Sequence, residues 1–393
     1  MIRSTTAVGT VAIPLFLAVL AAPTTVIARS AIPASDPNDV NRGVVELETA
    51  GSAGISVRMA EDLVSVMNDG ATRRIVPVVG TGSLANLRDL KHLRGIDMAM
   101  LQIDVLDYAK EQRLFPGIEG SITYIAKLHN EEFHLLARRE IQSVSDLANQ
   151  KVNVDLRDSG TAITASRLFG NLKLPVTMTN DRQEVAFEKL RTGELAALAF
   201  VAGKPAPIFY NLKADGGLHF LTVPFNSALA AAYVPTRLTA TDYPGLVAQD
   251  LPVDTVAIGT VLVVANLEQI PERYRNVANF VDAFFTGFQS LLEPSHHPKW
   301  QEVNISTELP GWRRYPAAEQ WLRRNMEVAR APSPEDLKAM FAHYIDERRR
   351  STGGAPMPQQ EKDDLFQQYH RWERAVRPGS RPPGRHFIRW RFR

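Results

Sequence analysis

The strongest constraint on this chain is a repeated change of hydrophobic period. The short β-prone apolar runs "VVELET" (Val44–Thr49), "RIVPVV" (Arg74–Val79) and "IDMAMLQ" (Ile96–Gln102) each hand over to a stretch of helical spacing. Those stretches read "SVRMAEDLVSVMND", "LANLRDLKHLR" and "VLDYAKEQ". Parallel strands need a crossover of a dozen or more residues, so strand–helix alternation of this length predicts a parallel sheet with helices on its faces. A second series begins at "KVNVD", continues through the helix "TAITASRLFGNL", and passes "EVAFEKLRTGE" into the strand "LAALAFV". "LHFLTV" and "AAAYVP" are further strand candidates. Between the two series, "SITYIAKL" and "EFHLLAR" are separated by the turn-like "HNE" and read as the crossing from one lobe to the other. The long run "TVAIGTVLVVAN" (Thr255–Asn266) reads as the return, and from Glu272 onward the pattern is helical.

With 393 residues the chain exceeds what one ordinary core organises, so two lobes are expected. Arg3 followed by the apolar stretch Ala7–Ala22, broken at Pro14, has the form of an export signal, with Val26 and Ala28 suiting cleavage after residue 28. Later segments fall short of the roughly 18 apolar residues that span a bilayer. The expected mature chain is soluble and periplasmic. The sequence contains no cysteine, which excludes disulfides, thiolate metal sites and cysteine nucleophiles. The formal charge of +2 hides an asymmetry, because residues 371–393 carry eight arginines against the single acid Glu373 and leave a net acidic body. That tail, with Trp390 and Phe392, is either a solvated extension or a contact for an anionic membrane surface. Nucleic acid is not an expected partner for an exported chain.

Three segments resemble one family in order. "VVGTGSLANLRDLKHLRGIDMAMLQIDVLDYA" is similar to the region where TAXI proteins place a "GGS-x-EN" turn before a "VQSDV" strand end. "FHLLARREIQSVSDLANQKVNVDLRDSGTAITASRLF" resembles the family's segment ending in "GSGT-x-x-TA", and "EVAFEKLRTGELAALAFVAGKPAP" its "ALKDGKVDAAFVVAGVPNP". TAXI proteins are the solute receptors of a subgroup of tripartite ATP-independent periplasmic (TRAP) transporters. The likeness runs from about Val44 to Asn266. It departs in the first loop, where "ETAGSAGISVR" lacks the family's aromatic residues and proline, and at Ile103, where the family has serine. The resemblance implies an α/β, two-lobed periplasmic binding protein-like fold (type II), here with a helical C-terminal extension. It also implies a dicarboxylate or amino acid ligand in the interlobe cleft, membrane transporter subunits as partners, no cofactor and no catalysis.

The candidate ligand contacts lie where strands hand over to helices. A helix N-terminus leaves about four amides unpaired and concentrates about half a positive charge, so small residues there admit a carboxylate. Ser159, Gly160 and Thr161 form one such junction, with the alternative that Asp158 or Ser159 merely caps the helix. Thr81, Gly82 and Ser83 form a second, and Gly51 and Ser52 a third. The second lacks the GK[ST] ending of a nucleoside-triphosphate loop. Gln102 offers an amide, and Asp104 is either an ammonium acceptor or the next helix's cap. Lys204 is either a carboxylate partner or a solvated loop residue, and Tyr233 either an aromatic wall or core. In "HNEEFH" the residues His129 and His134 miss the i, i+4 spacing of a helical zinc site and read as structural. No G-x-S-x-G elbow occurs.

The expected organisation is a signal peptide over 1–28, a linker over 29–43, and lobe 1 over 44–135, completed by about 255–330. Lobe 2 spans 136–254, further helices 331–370 and the basic tail 371–393.

Overall fold

The computed structural model describes residues 42–51, 54–70, 72–212, 217–328 and 355–376, with single positions between 335 and 349. The signal segment, Ser52 and the tail beyond residue 376 lie outside the described residues. The first series of the chain forms β1 (Val44–Thr49), α1 (Ser56–Met67), β2 (Arg74–Val79), α2 (Ser83–His92), β3 (Met98–Gln102) and α3 (Ile103–Glu111). A single turn, α4 (Ile118–Ser121), leads into β4 (Ile122–Arg138). The second series forms β5 (Lys151–Asn153), α5 (Gly160–Asn171), β6 (Thr177–Thr179), α6 (Gln183–Thr192) and β7 (Ala197–Ala202). After the short α7 (Pro207–Tyr210) come β8 (Leu218–Phe220), β9 (Val234–Leu238) and β10 (Val253–Ala265). The chain continues in α8 (Pro271–Thr286), α9 (Pro316–Val328) and α10 (Gln359–Val376).

The main path of the sheet runs β2-β1-β3-β10-β4-β7-β5-β6. Strands β1, β2 and β3 are mutually parallel, as are β5, β6 and β7. The two long strands β4 and β10 run antiparallel to each other and to the parallel strands beside them. The first half of β4 pairs with the second half of β10, while its second half pairs with β7 and β8. This corrects the expected turn at "HNE": residues 129–131 lie inside one continuous 17-residue strand. The ladder with β10 instead shifts register between Gly259 and Val261, opposite Asn130 and Lys127. "AAAYVP" also differs from expectation, since residues 227–232 turn and the strand starts at Val234.

Alternate residues of the central strands enter cores on opposite faces, which is why these strands read as unbroken apolar runs. Met98 and Met100 join one cluster with Leu262 and Val264, while Ala99 and Leu101 join another with Val261 and Val263. In the second half Phe133, Leu135 and Val201 face one side, and Leu136, Leu198 and Phe200 the other. The aromatic face of α8 closes the first half: Phe280 and Phe284 stack at 5.7 Å, and Phe284 meets Trp300 edge-on at 6.1 Å.

A buried ion pair fastens β4 to the 3-10 turn Pro298–Glu302. The Lys299 ammonium lies 2.6 Å from Glu132 and 2.7 Å from Glu302. Glu132 also accepts the Lys204 backbone N–H at 2.8 Å. Burial pushes the Glu132 carboxyl above its ordinary range, opposed by Lys299. Removing one member strands the other charge in the interior, so Lys299→Met is expected to cost about 3–5 kcal/mol in denaturant unfolding. Adding Glu132→Gln to that variant is expected to restore a large part of the loss; no recovery would contradict the pairing.

Candidate functional site

At the carboxyl ends of the parallel strands a cleft of about 130 Å³ opens between the two halves of the sheet. From the first half it is lined by Gly51, Ser56, the loop Gly80–Ser83 and Gln102. The second half contributes Asp155, Ser159, Gly160, Thr161, Arg182 and Gln183. The crossing strands supply its polar floor, His129 and Glu131 from β4 and Thr260 from β10. Loops at strand carboxyl ends are where open α/β sheets hold ligands, because helix N-termini converge there. Here α1, α2, α5 and α6 all begin at the cavity wall.

The α5 junction bears out the capping reading of its sequence. Ser159 is the N-cap, its Oγ accepting the Ala162 N–H at 3.1 Å. Thr161 Oγ1 accepts the Val201 N–H at 3.0 Å, tying the helix to β7. Neither bond uses the Gly160 and Thr161 amides, which face the cavity end of the helix. Asp158 does not cap α5. Its carboxylate pairs with Arg88 at 2.7 Å, and its backbone carbonyl accepts the N–H groups of Leu84 and Ala85 at 3.1 and 3.2 Å. The loop of the second half thereby satisfies the first turn of α2 in the first.

Two glycines permit this approach. Gly82 has φ +138°, and a Cβ there would lie 2.6 Å from the Ser159 Cα. A Cβ on Gly160 would lie 2.0 Å from Gln102 Oε1. Gln102 is itself held, donating from Nε2 to Glu131 at 2.7 Å. Ser83 Oγ accepts the Gln102 backbone N–H at 3.2 Å. Thr81 lines the cavity from an exposed position.

Three expected contacts do not line the cavity, and each has a local reason. Asp104 is fully buried in the first turn of α3, accepting hydroxyl hydrogen bonds from Thr164 at 2.7 Å and Tyr233 at 3.0 Å. Tyr233 is thus core, as one of its two readings has it, and its hydroxyl also ties its loop to α3. Lys204 turns to Asp242 at 3.1 Å and to the Arg237 carbonyl at 2.5 Å. Conversely, sequence reading missed Ser56, Asp155, Arg182 and Gln183, and assigned His129 a structural role. That role suits His134, whose ring meets the Tyr243 hydroxyl at 2.6 Å within an aromatic core, and His129 combines burial and contact with Thr260 with a place in the cavity lining. The signal for His129 and Glu131 was available: polar residues two apart in an otherwise apolar strand share one face.

Burial shapes the acids around the site. Desolvation pushes the Asp104 carboxyl up from 3.8 to about 6, against hydrogen bonds from Thr164 and Tyr233 that lower it. Asp155, with φ +66°, is likewise raised to about 6 by burial, opposed by bonds from the Leu156 N–H and Ser159. Among the described residues no group of three side chains is arranged to hold a metal ion. No described helix is long and apolar enough to cross a membrane.

Comparison with known proteins decides the relationship. Residues 50–273 match the NMT1-like family. This chain belongs to the NMT1-like family. The matched span holds the whole cavity lining. Similar solved structures include a periplasmic transporter, with 10% identity and TM-score 0.43, over 72% of this chain and 93% of that one. The alkanesulfonate-binding protein SsuA from Xanthomonas axonopodis pv. citri, bound to MOPS, has 11% identity and TM-score 0.40 over 73% and 92%. A TctC solute binding protein from Polaromonas has 13% identity and TM-score 0.35 over 63% and 88%. No curated protein sequence matches the chain.

Two outcomes follow from this geometry. Gly82→Ala places a methyl group against the Ser159 backbone, in a conformation L residues rarely adopt. It is expected to weaken binding of any cavity ligand at least tenfold (about 1.4 kcal/mol) in titration calorimetry. The second concerns pH. A carboxyl that holds its proton more tightly folded than unfolded contributes stability below about pH 4, and that contribution is lost as pH rises through about 6. Thermal unfolding between pH 4 and 6.5 is therefore expected to fall less steeply for Asp104→Asn than for the parent, by an amount on the order of 2 kcal/mol. Equal slopes would contradict the raised carboxyl.

Proposed function

We propose that this chain is an exported, periplasmic solute-binding protein that captures a small organic acid or amino acid between its lobes. Delivery is to the membrane subunits of a TRAP-type secondary transporter, in the manner of the TAXI receptors its segments resemble. The observation that carries the reading is the cleft itself: a small space of mixed polar and apolar lining where helix N-termini from both halves of one sheet converge. The Gly160 and Thr161 amides and the Arg182 guanidinium suit the carboxylate end of such a solute. Capture is noncovalent. The lobes meet through Asp158 with Arg88 and the α2 amides, and through Arg167 with Glu111 at 2.6 Å, contacts that opening would break and ligand would favour. The lobe boundaries near residues 135 and 255 belong to this proposal, as does anionic membrane contact by the basic tail.

The test is thermal unfolding of residues 29–393 against dicarboxylates, 2-oxo acids and amino acids. A ligand at a hundred times its dissociation constant adds about 2.7 kcal/mol of stability. A rise in Tm that grows with the logarithm of one compound's concentration is expected. A flat response across the panel, from protein stripped of copurified solute, would contradict the reading.

A further inference from the structure

Away from the cavity lining, the two halves of the sheet also meet at a buried carboxyl. Asp104 sits in the first turn of α3, in the first half, and is 1% exposed. The hydrogen bonds its carboxyl accepts come from the second half. The Thr164 hydroxyl of α5 donates to Oδ2 at 2.7 Å, and the Tyr233 hydroxyl donates to the same oxygen at 3.0 Å. The other oxygen, Oδ1, is buried with no partner. Tyr233 itself belongs to the apolar core of the second half, with Phe133, Phe169 and Val256.

Few charges face this carboxyl. Arg167 of α5 approaches from the second half, but its guanidinium is engaged by Glu111 of α3 at 2.6 and 3.1 Å. Asp107 of α3 faces it with like charge, and Tyr233 is the titratable group on the loop packed against it. A buried carboxylate with one oxygen unmatched is costly, and a proton on Oδ1 removes the charge while both hydroxyls stay bonded to Oδ2. Desolvation accordingly pushes the group from 3.8 to about 6, with the two hydroxyls and Arg167 opposing it. Parting the halves would withdraw the hydroxyls, admit water and return the group to the ordinary carboxylate range. Asp155 is raised to a similar level, but Leu156, Ser159, Glu184 and Arg182, which act on it, all belong to its own half.

We propose that Asp104 is a proton-operated latch between the halves: closure brings the Thr164 and Tyr233 hydroxyls onto its carboxyl and takes up a proton there, so the site holds its solute more tightly in mildly acidic surroundings than above neutral pH. By linkage, a group that holds its proton more tightly closed than open favours closure below about pH 4, and that advantage is lost as pH rises through about 6. With 3.8 open and about 6 closed, the closed-to-open ratio is about tenfold larger at pH 5 than at pH 8. The Arg167–Glu111 pair also crosses between the halves, but Arg167 holds the Glu111 carboxyl below its ordinary range, so that pair stays ionised through this window. This rests on the two-lobed capture reading and adds a regulation to it.

The test is single-molecule energy transfer on the chain stripped of solute by unfolding and refolding. The sequence has no cysteine, so dyes are attached through Leu93→Cys at the end of α2 and Val185→Cys on α6, half-exposed positions on opposite halves. The ratio of the short-distance to the long-distance population is expected to be about tenfold larger at pH 5 than at pH 8. Asp104→Asn, which cannot ionise, is expected to abolish that dependence. Tyr233→Phe takes a donor from the ionised form and is expected to widen the gap, which lost packing alone would not do; it decides the matter if Asp104→Asn fails to fold. A ratio that does not change with pH, a single distance at both values included, overturns the latch, as does an unchanged gap in either variant. Solute capture is judged separately. A compound that binds and shortens the distance equally at both pH values leaves capture standing without the latch, and a pH-dependent distance with no compound bound leaves the latch without capture.

Discussion

Everything in the described molecule hangs on the pairing of two long strands. Ile122–Arg138 and Val253–Ala265 run antiparallel through the centre of the sheet, and each half of the fold adds its parallel strands to them. Because side chains alternate along a strand, the same backbone that closes the cores in both halves must expose something at the crossing point. There it exposes His129, Glu131 and Thr260. The polar floor of the cavity and the covalent link between halves are one structural element, so a ligand resting on that floor touches the part about which the halves would move. The register shift beside Gly259 falls at this point and loosens the ladder locally.

The cavity owes its character to a division of labour between backbone and side chains. Helix N-termini bring partial positive charge from several directions without any buried cation. Side chains supply the opposite, with the Glu131 carboxylate held in the floor by the Gln102 amide. The glycines matter for a related reason. Gly82 and Gly160 let the two junctions meet at backbone distance, which shrinks the enclosure to the scale of a small metabolite.

Much of the fold was legible because its signals were local. The strands Val44–Thr49 and Arg74–Val79 fall where period and β-branched content place them, and the helix after "DSGT" begins at Gly160 as small capping residues predict. The α/β class follows from that alternation. The site was legible only in outline. Junction residues such as Ser159 and Gly82 announce themselves by type, but Asp104 pairs with Tyr233 across 129 positions and with Thr164 across 60, and Lys204 with Asp242 across 38, which no short window contains. The tripeptide "HNE" was misread as a turn because it lies within a strand whose pairing is supplied by β10, more than a hundred residues downstream. Gln183 gave no signal at all, since an ordinary first-turn glutamine becomes an acceptor in a cavity only when Ala199 lies behind it.

The central claim is noncovalent capture of one small solute in the closed cleft. Native mass spectrometry of the chain, purified without denaturation, tests it most directly. The account predicts one small molecule bound per chain, released unchanged on unfolding, and carrying a carboxylate. A chain that is never found with a bound solute, or that returns an added compound chemically altered, would contradict it.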